Sequence, residues 1–397
     1  PERAIECRTD MKKKYLVVLG DGMADEPVPE LFGRTPLEAA RTPNMDRIAR
    51  EGSCGLLRTV PEGCEAGSDI ANLSILGYDP LRYYTGRGPL EAASIGISLR
   101  NTDMAYRCNL VTIRDGIMED FSAGHITSAE GALLLSSLGR ELSRAQVYPG
   151  VSYRNLLVLP DAGGATTVPP HDIVGQEVAL HLPSGRDAPL LLECMHASER
   201  VFAGHPVNRD RVSRGLPPAT QVWPWSGGRV PALPPFHEKY GMRGGIISAV
   251  DLLKGIGRCA GMEVIEVPGA TGYLDTDYQA KARYALSALE RLDFVYVHVE
   301  APDEAGHLGS VEEKVTAIER LDEMIGTIMQ EFRGVIAVLP DHPTPIRTRT
   351  HSRDPVPFAV SGKGGHCCRS FSEKEARREN SALMEGPDFL PHLFSKG

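Results

Sequence analysis

Two hydrophobic periods alternate along much of the chain. Short runs in which nearly every position is apolar, "YLVVLG" (15–20), the run at 294–299 inside "DFVYVHVE", "GVIAVL" (334–339) and "VPFAVSG" (356–362), have the length and content of buried strands. Between them lie stretches whose apolar positions recur at helical spacing. "TPNMDRIAREG" reads as a helix, with Thr42 able to cap it, Pro43 suited to its first turn and Gly52 to its stop. "SVEEKVTAIERLDEMIGTIMQEF" reads as a long helix that Ser310 caps and whose apolar face carries Val311, Val315, Ile318, Ile325, Ile328 and Phe332. Strands alternating with helices predict an α/β fold, a mostly parallel sheet flanked by helices.

The middle of the chain breaks this rhythm. From about 86 to 224 there are short strand candidates, "MAYRCNLVTI" and "RNLLVL", separated by Pro- and Gly-rich joints such as "VPPHD" and "RGLPPA". We expect a smaller α+β domain at 86–224, inserted into a discontinuous domain made of 11–85 and 225–397. A chain of 397 residues is long for a single core, which agrees with two domains.

Charge and cysteine content narrow the function classes. The net charge of −9 argues against nucleic acid or an anionic membrane surface as a partner. No apolar run reaches the roughly 18 residues of a membrane helix. The first residues, "PERAIECRTDMKKKY", lack the apolar core of a signal peptide and read as an extension before the first strand. Cysteines stand at 7, 54, 64, 108, 194, 259, 367 and 368 with no C-x-x-C pair, and are expected to be free thiols in a reducing cytoplasm.

The chemistry gathers where strands end. The first strand runs into Asp21, the second group into "EAPDEAGH" with Asp303 and His307, and the third into "LPDHPTPIRTRTH" with Asp341, His342 and His351. In an open parallel sheet, functional groups collect beyond the carboxyl ends of the strands, so these six side chains are placed to converge. Carboxylate and imidazole without thiolate suit manganese, zinc or similar divalent ions. Six ligands exceed one tetrahedral site and suffice for two metals about 4 Å apart, an arrangement that clamps a phosphoryl group. Singly, an acid after a strand is more often a turn residue or helix cap, and a lone histidine a surface or satisfied residue; it is the three clusters together that point to metal.

A nucleophile is available in "EGCEAGSDIANLSIL". Ser68 stands at the start of a helical pattern, where it serves either as a cap or as an exposed hydroxyl beside backbone N–H groups that favour an anion. Beside a divalent metal its alkoxide would be an activated nucleophile.

Ten segments carry a resemblance. "VVLGDGMADEP", "TPLEAARTPNMDRIAREG", "AGSDIANLSILGYDP", "GRGPLEAASIG", "SAGHIT", "VSYRNLLV", "PPHDIVGQ", "ISAVDLLKGIG", "HVEAPDEAGH" and "LPDHPTPIRTRTH", covering about 14–360 in order, resemble the archaeal-type cofactor-independent phosphoglycerate mutases of the alkaline phosphatase superfamily. The resemblance implies an alkaline-phosphatase-like fold and interconversion of 3- and 2-phosphoglycerate in glycolysis and gluconeogenesis, through a phosphoserine and without bisphosphoglycerate. It implies two divalent ions, manganese first, with zinc, cobalt or magnesium also suited. Asp21, Ser68, Asp341 and His342 would hold one, and Asp303, His307 and His351 the other. Ser68 would be ligand and nucleophile, and His125 the acid or base toward a glycerate hydroxyl. Arg87, Arg154 and Arg211 would bind the substrate's carboxylate and phosphate, which an arginine fork grips in bidentate fashion. The matched segments also contain Lys254 and His171, to which no role attaches. The alternative is a related phosphotransferase, such as a homoserine kinase using ATP. No P-loop is present, although this superfamily would not need one.

Overall fold

The computed structural model describes residues 13–362, 368–378 and 383–395. It divides into two compact units, one made of 1–84 with 233–397 and one made of 85–232.

The first unit is built on an eight-stranded sheet. From one edge to the other the strands are Leu383–Glu385, Ser53–Arg58, Val356–Val360, Val335–Leu339, Tyr15–Gly20, Phe294–Val299, Gly244–Ile247 and Glu263–Val264. The last five run parallel, and Val356–Val360 is antiparallel to both its neighbours. Tyr15–Gly20 and Phe294–Val299 are buried at every position, because helices cover both faces of a parallel sheet and leave no polar side. Register then places the chemistry: Gly20 pairs with Val299 and Leu19 with Leu339, so the chain leaves three adjacent strands at one level.

The long helix, Val311–Glu331, is capped by Ser310, whose hydroxyl accepts from the Glu313 N–H. Its buried face is Lys314, Ala317, Ile318, Leu321, Met324, Ile325 and Ile328, with Asp322 beside them, so two charged positions belong to the packed side. Lys314 is wholly buried and donates to Asp25 Oδ2 at 2.7 Å and to the Thr344 carbonyl at 2.8 Å, tying together the loops that follow two of the central strands. Among the described residues, no helix is long and apolar enough to cross a membrane.

The second unit is a five-stranded antiparallel sheet. Met104–Arg114 is its long central strand, paired with Arg154–Leu159, Gln221–Gly228 and Ile117–Asp120, while Gln146–Val151 lies beyond Arg154–Leu159. It runs past the expected end at 224, because Gln221–Gly228 pairs along Met104–Arg114 through Gly228. Helices Ser128–Glu141 and Ala188–Ala203 contribute to its core, which holds Trp223, Tyr106 and Phe202.

One expectation is overturned. Cys54 and Cys368, expected as free thiols, form a disulfide across 314 positions of sequence, with their Cα atoms 6.2 Å apart. The link ties the strand Ser53–Arg58 to a segment whose Cys368 N–H already bonds the Ala49 carbonyl. Cys64, Cys108, Cys194 and Cys259 are free, and Cys7 and Cys367 lie outside the described residues. A native disulfide typically contributes roughly 2–4 kcal/mol. Cys368→Ser is therefore expected to lower Tm by roughly 5–10 °C in a unit of this size. Calorimetry with and without reductant checks this: a wild-type Tm indifferent to reductant counts against the bond.

Candidate metal and phosphoryl-transfer site

Six of the sequence-predicted ligands and Ser68 meet beyond the strand ends of the first unit. Gly67, not Ser68, caps the helix Ser68–Ile75, and no side chain bonds the cap. The Ser68 hydroxyl is thus free of the capping role and lies 3.1 Å from His342 Nε2 and 3.5 Å from Asp21 Oδ2. His342 Nε2 is also 3.4 Å from Asp21 Oδ1 and 3.6 Å from Asp341 Oδ2. On the other side, Asp303 has His307 Nε2 at 3.2 Å and His351 Nε2 at 3.6 Å, and the two imidazole nitrogens are 3.0 Å apart. Among the described residues, two sets have ligand atoms close enough for one ion: Asp21, Asp341 and His342, and Asp303, His342 and His351. His342 belongs to both, and its ring lies 4.1 Å from that of His351.

Backbone and side-chain donors fix these groups. Asp341 Oδ1 accepts from the N–H groups of Gly22 and His342, and its Oδ2 accepts from the Asn72 amide at 2.8 Å. Asn72 in turn accepts from the Tyr296 hydroxyl and donates to the Ser68 carbonyl. The Thr344 hydroxyl donates to Asp303. His307 Nδ1 meets the Arg349 carbonyl at 2.9 Å, and His351 Nδ1 meets the Ala66 carbonyl at 3.3 Å. Each imidazole is thereby oriented through one nitrogen while the other faces the cluster, a common arrangement behind metal-binding histidines.

The electrostatics call for positive charge. Burial, then the nearby Asp341, Asp303 and Glu300 carboxylates, push the Asp21 carboxyl well above its ordinary range. Burial, with Glu304 and Asp303, raises Glu300 to about 8. Burial also works against ionised Asp303, but hydrogen bonds from His307 and His351 outweigh it and hold the carboxyl well below its usual value. The Asp303 hydrogen bond, despite burial, raises His307 to about 9. Among the described residues Asp21 Oδ1 is buried with no hydrogen-bond partner; His342 Nε2 lies 3.4 Å from it, and burial lowers that ring's pKa, so it brings no settled positive charge. An orphaned, buried carboxylate oxygen is costly unless a cation meets it. With the oxygen and nitrogen donors around it, this atom fits a divalent metal site.

The second unit holds a separate cationic cluster. Arg87 begins the helix Arg87–Ser94, Arg154 begins the strand Arg154–Leu159, and Arg107 lies between them in the fold on Met104–Arg114. Arg107 pairs with Glu91 at 3.0 Å and lies 4.3 Å over the ring of its cross-strand partner Trp225. Burial, opposed by Glu91 and reinforced by the like charges of Arg87 and Arg154, lowers the Arg107 pKa. His171 packs against Trp225 at 5.2 Å; burial, with the charges of Arg107 and Arg87, lowers its pKa. His125 is exposed, with its ring 6.0 Å from Tyr153, and Arg154 lies over the same Tyr153 ring. His125 and Ala123 have φ of 47° and 48°, with Gly124 at 63° between them. A left-handed residue other than glycine costs about 1–3 kcal/mol and tends to mark a functional turn. Arg211 departs from expectation. It is only 2% exposed, and its guanidinium bonds Glu130 Oε2 at 2.8 Å and the Pro217 and Ala123 carbonyls at 2.9 and 2.7 Å, which turns it inward rather than toward a ligand. Lys254 pairs with Glu266 at 2.8 Å in the first unit.

A curated protein of Methanothrix thermoacetophila, a 2,3-bisphosphoglycerate-independent phosphoglycerate mutase, is 55% identical over 391 residues, covering 96% of this chain and 100% of that protein. The chain belongs to the 2,3-bisphosphoglycerate-independent phosphoglycerate mutases. A second such mutase, from Methanothermobacter thermautotrophicus, is 58% identical over 360 residues, 88% of this chain and 89% of that one. The family model described as 2,3-bisphosphoglycerate-independent phosphoglycerate mutase matches residues 49–208. Among solved structures, the cofactor-independent phosphoglycerate mutase of Thermoplasma acidophilum superposes with a TM-score of 0.70 at 28% identity, covering 96% of this chain and 98% of that one. Membership in this mutase family makes the chain an isomerase and disfavours the kinase alternative.

Sequence reasoning missed two residues in this mutase. His298 is wholly buried in the strand Phe294–Val299, and its Nε2 meets Asp21 Oδ2 at 2.9 Å while Nδ1 meets the Ser248 hydroxyl at 3.2 Å. Burial pulls its pKa down to about 3, so the ring is neutral and steadies Asp21 by hydrogen bonding rather than by charge. It sits inside the apolar run read only as a strand. Arg107 was hidden the same way in "MAYRCNLVTI". A lone polar residue inside an apolar strand was the available signal for both.

Proposed function

We propose that this chain interconverts 3-phosphoglycerate and 2-phosphoglycerate through a phosphoserine on Ser68, with no free bisphosphoglycerate. The observation that carries the reading is the Ser68 hydroxyl, unused as a helix cap, 3.1 Å from His342 and 3.5 Å from Asp21 inside a cluster of six carboxylate and imidazole ligands. Asp21, Ser68, Asp341 and His342 would hold one divalent ion and Asp303, His307 and His351 the other, with manganese the first choice and zinc, cobalt or magnesium also suited by the donors. Such ions, when bound, neutralise phosphoryl oxygens and favour the deprotonated Ser68 hydroxyl.

The chain's own residues do the rest. Ser68 Oγ attacks phosphorus, a bond forms to the serine, and the bond to the glycerate oxygen breaks. His125 gives a proton to that oxygen. The other hydroxyl of glycerate then gives its proton to His125 and attacks the phosphoserine, freeing Ser68. Arg87, Arg154 and Arg107 hold the carboxylate; crowded like charges are offset when an anion binds them. The substrate is thus a small phosphoglycerate, and we place the enzyme in the cytoplasm, where glycolysis and gluconeogenesis run.

The test is a coupled assay on metal-loaded protein with 3-phosphoglycerate and no bisphosphoglycerate, run beside ATP with homoserine. Product in the first and none in the second is expected. Phosphohomoserine without mutase turnover would falsify the reading.

A further inference from the structure

The inward turn of Arg211 has a use. The segment Ser122–Ile126 makes a left-handed turn in which Ala123, Gly124 and His125 are all at positive φ, 48°, 63° and 47°. Such a run has little support of its own, since L-residues do not settle into consecutive left-handed positions. Two charged side chains hold it from opposite sides. The Asp120 carboxylate takes the donors: the Ser122 N–H at 2.7 Å, the Ser122 hydroxyl at 2.6 Å and the Gly124 N–H at 2.8 Å. The Arg211 guanidinium takes the acceptors: the Ala123 carbonyl at 2.7 Å and the Gly124 carbonyl at 3.4 Å. The Ser122 hydroxyl then accepts from the His125 N–H at 3.1 Å.

Arg211 is itself rigidly placed. Its Nε donates to the Pro217 carbonyl and its Nη1 to Glu130, and Glu130 is held by Thr127 at the start of the helix Ser128–Glu141 and by Arg214. The turn has no slack against this frame. A Cβ added at Gly124 would stand 2.7 Å from Pro217 Cδ and 3.2 Å from Arg211 Nη2. At its far end the turn is fastened to the neighbouring strand connection, where the Ser152 hydroxyl donates to the Ile126 carbonyl at 2.6 Å. The turn thereby brings the exposed His125 ring beside Tyr153, the residue preceding Arg154.

We propose that Arg211 is a positioning residue: by holding the Ala123 and Gly124 carbonyls it maintains the left-handed turn that presents the His125 imidazole. The inference rests on the reading of His125 as the group that exchanges protons with glycerate. It assigns Arg211 no contact with substrate.

The test is a double-variant cycle with chemical rescue on the metal-loaded protein. Arg211→Ala is expected to lower kcat by roughly 100-fold, the scale of an ångström-sized misplacement, with KM for 3-phosphoglycerate within about 3-fold. Guanidinium at millimolar concentration should restore at least about 10-fold of this. Arg211→Ala with His125→Ala should be no slower than His125→Ala alone, because residues acting as one unit do not add. Ring resonances of labelled His125 should shift in Arg211→Ala and return with guanidinium. Additive losses in the double variant, or unchanged His125 resonances in a folded Arg211→Ala protein, overturn the proposal. If Arg211→Ala does not fold, Gly124→Ala tests the turn with Arg211 intact: a fall in kcat without a matching change in KM supports it, and an unchanged kcat overturns it. Full activity in His125→Ala refutes the proton-exchange reading instead, and the positioning of the ring is then decided by the resonances alone.

Discussion

Ser68→Ala is expected to lower kcat by roughly 10⁴-fold or more, the size of loss that follows removal of a nucleophile acting within a catalytic unit. Tm should change little, because Gly67 caps the helix and the Ser68 side chain contributes no cap bond. The bonds that secure this corner also survive, since Asn72 holds the Ser68 backbone carbonyl rather than the hydroxyl. Two measurements separate the nucleophile from a residue that merely lines the site. After acid quench from 3-phosphoglycerate, mass spectrometry should find phosphate on the Ser68 peptide of the wild type and none in the variant. Metal content of the variant should fall only modestly, because Asp21, Asp341 and His342 remain. Substantial mutase activity in folded Ser68→Ala protein ends the covalent scheme.

His351→Ala and His342→Ala are expected to affect the two proposed ions unequally. His351 faces Asp303 and His307, so its loss should remove about one of two bound equivalents and leave the ion held by Asp21, Asp341 and His342. His342 has ligand atoms in reach of both groups and a ring close to that of His351, so its loss should remove the ion at Asp21 and also weaken the other. The affinity lost at the directly affected site should exceed about 100-fold, the upper range seen when only an outer partner of a ligand is removed. Titration with manganese, followed by metal analysis after gel filtration, reads both stoichiometries. Identical loss of both ions in the two variants argues against any division of ligands.

Much of the first unit was legible because its signals are local. The runs at 15–20 and 294–299 fall on observed strands of the same bounds, since a strand buried on both faces must be apolar at every position. The acids and histidines after those strands were legible for a related reason: a parallel sheet delivers its strand ends to one level, and register alone then brings them together. The family resemblance supplied the division of ligands, which neither composition nor spacing contains.

Local pattern is therefore enough for the order of the elements, the apolar strands and the identity of the groups at their ends. Which distant groups serve one another depends on packing. The helix Pro43–Glu51 is an example: Thr42, the expected cap, makes no cap bond, and Asp322 of the long helix takes the N–H groups of Asn44 and Met45 instead. Cys54 finds Cys368, His298 supports Asp21, and Arg211 holds the turn before His125 rather than meeting a ligand. Each of these pairs joins residues far apart in sequence. Periodicity and capping rules describe the backbone within a few residues, whereas a hydrogen bond or disulfide between remote positions exists only after packing has placed both partners and removed them from water.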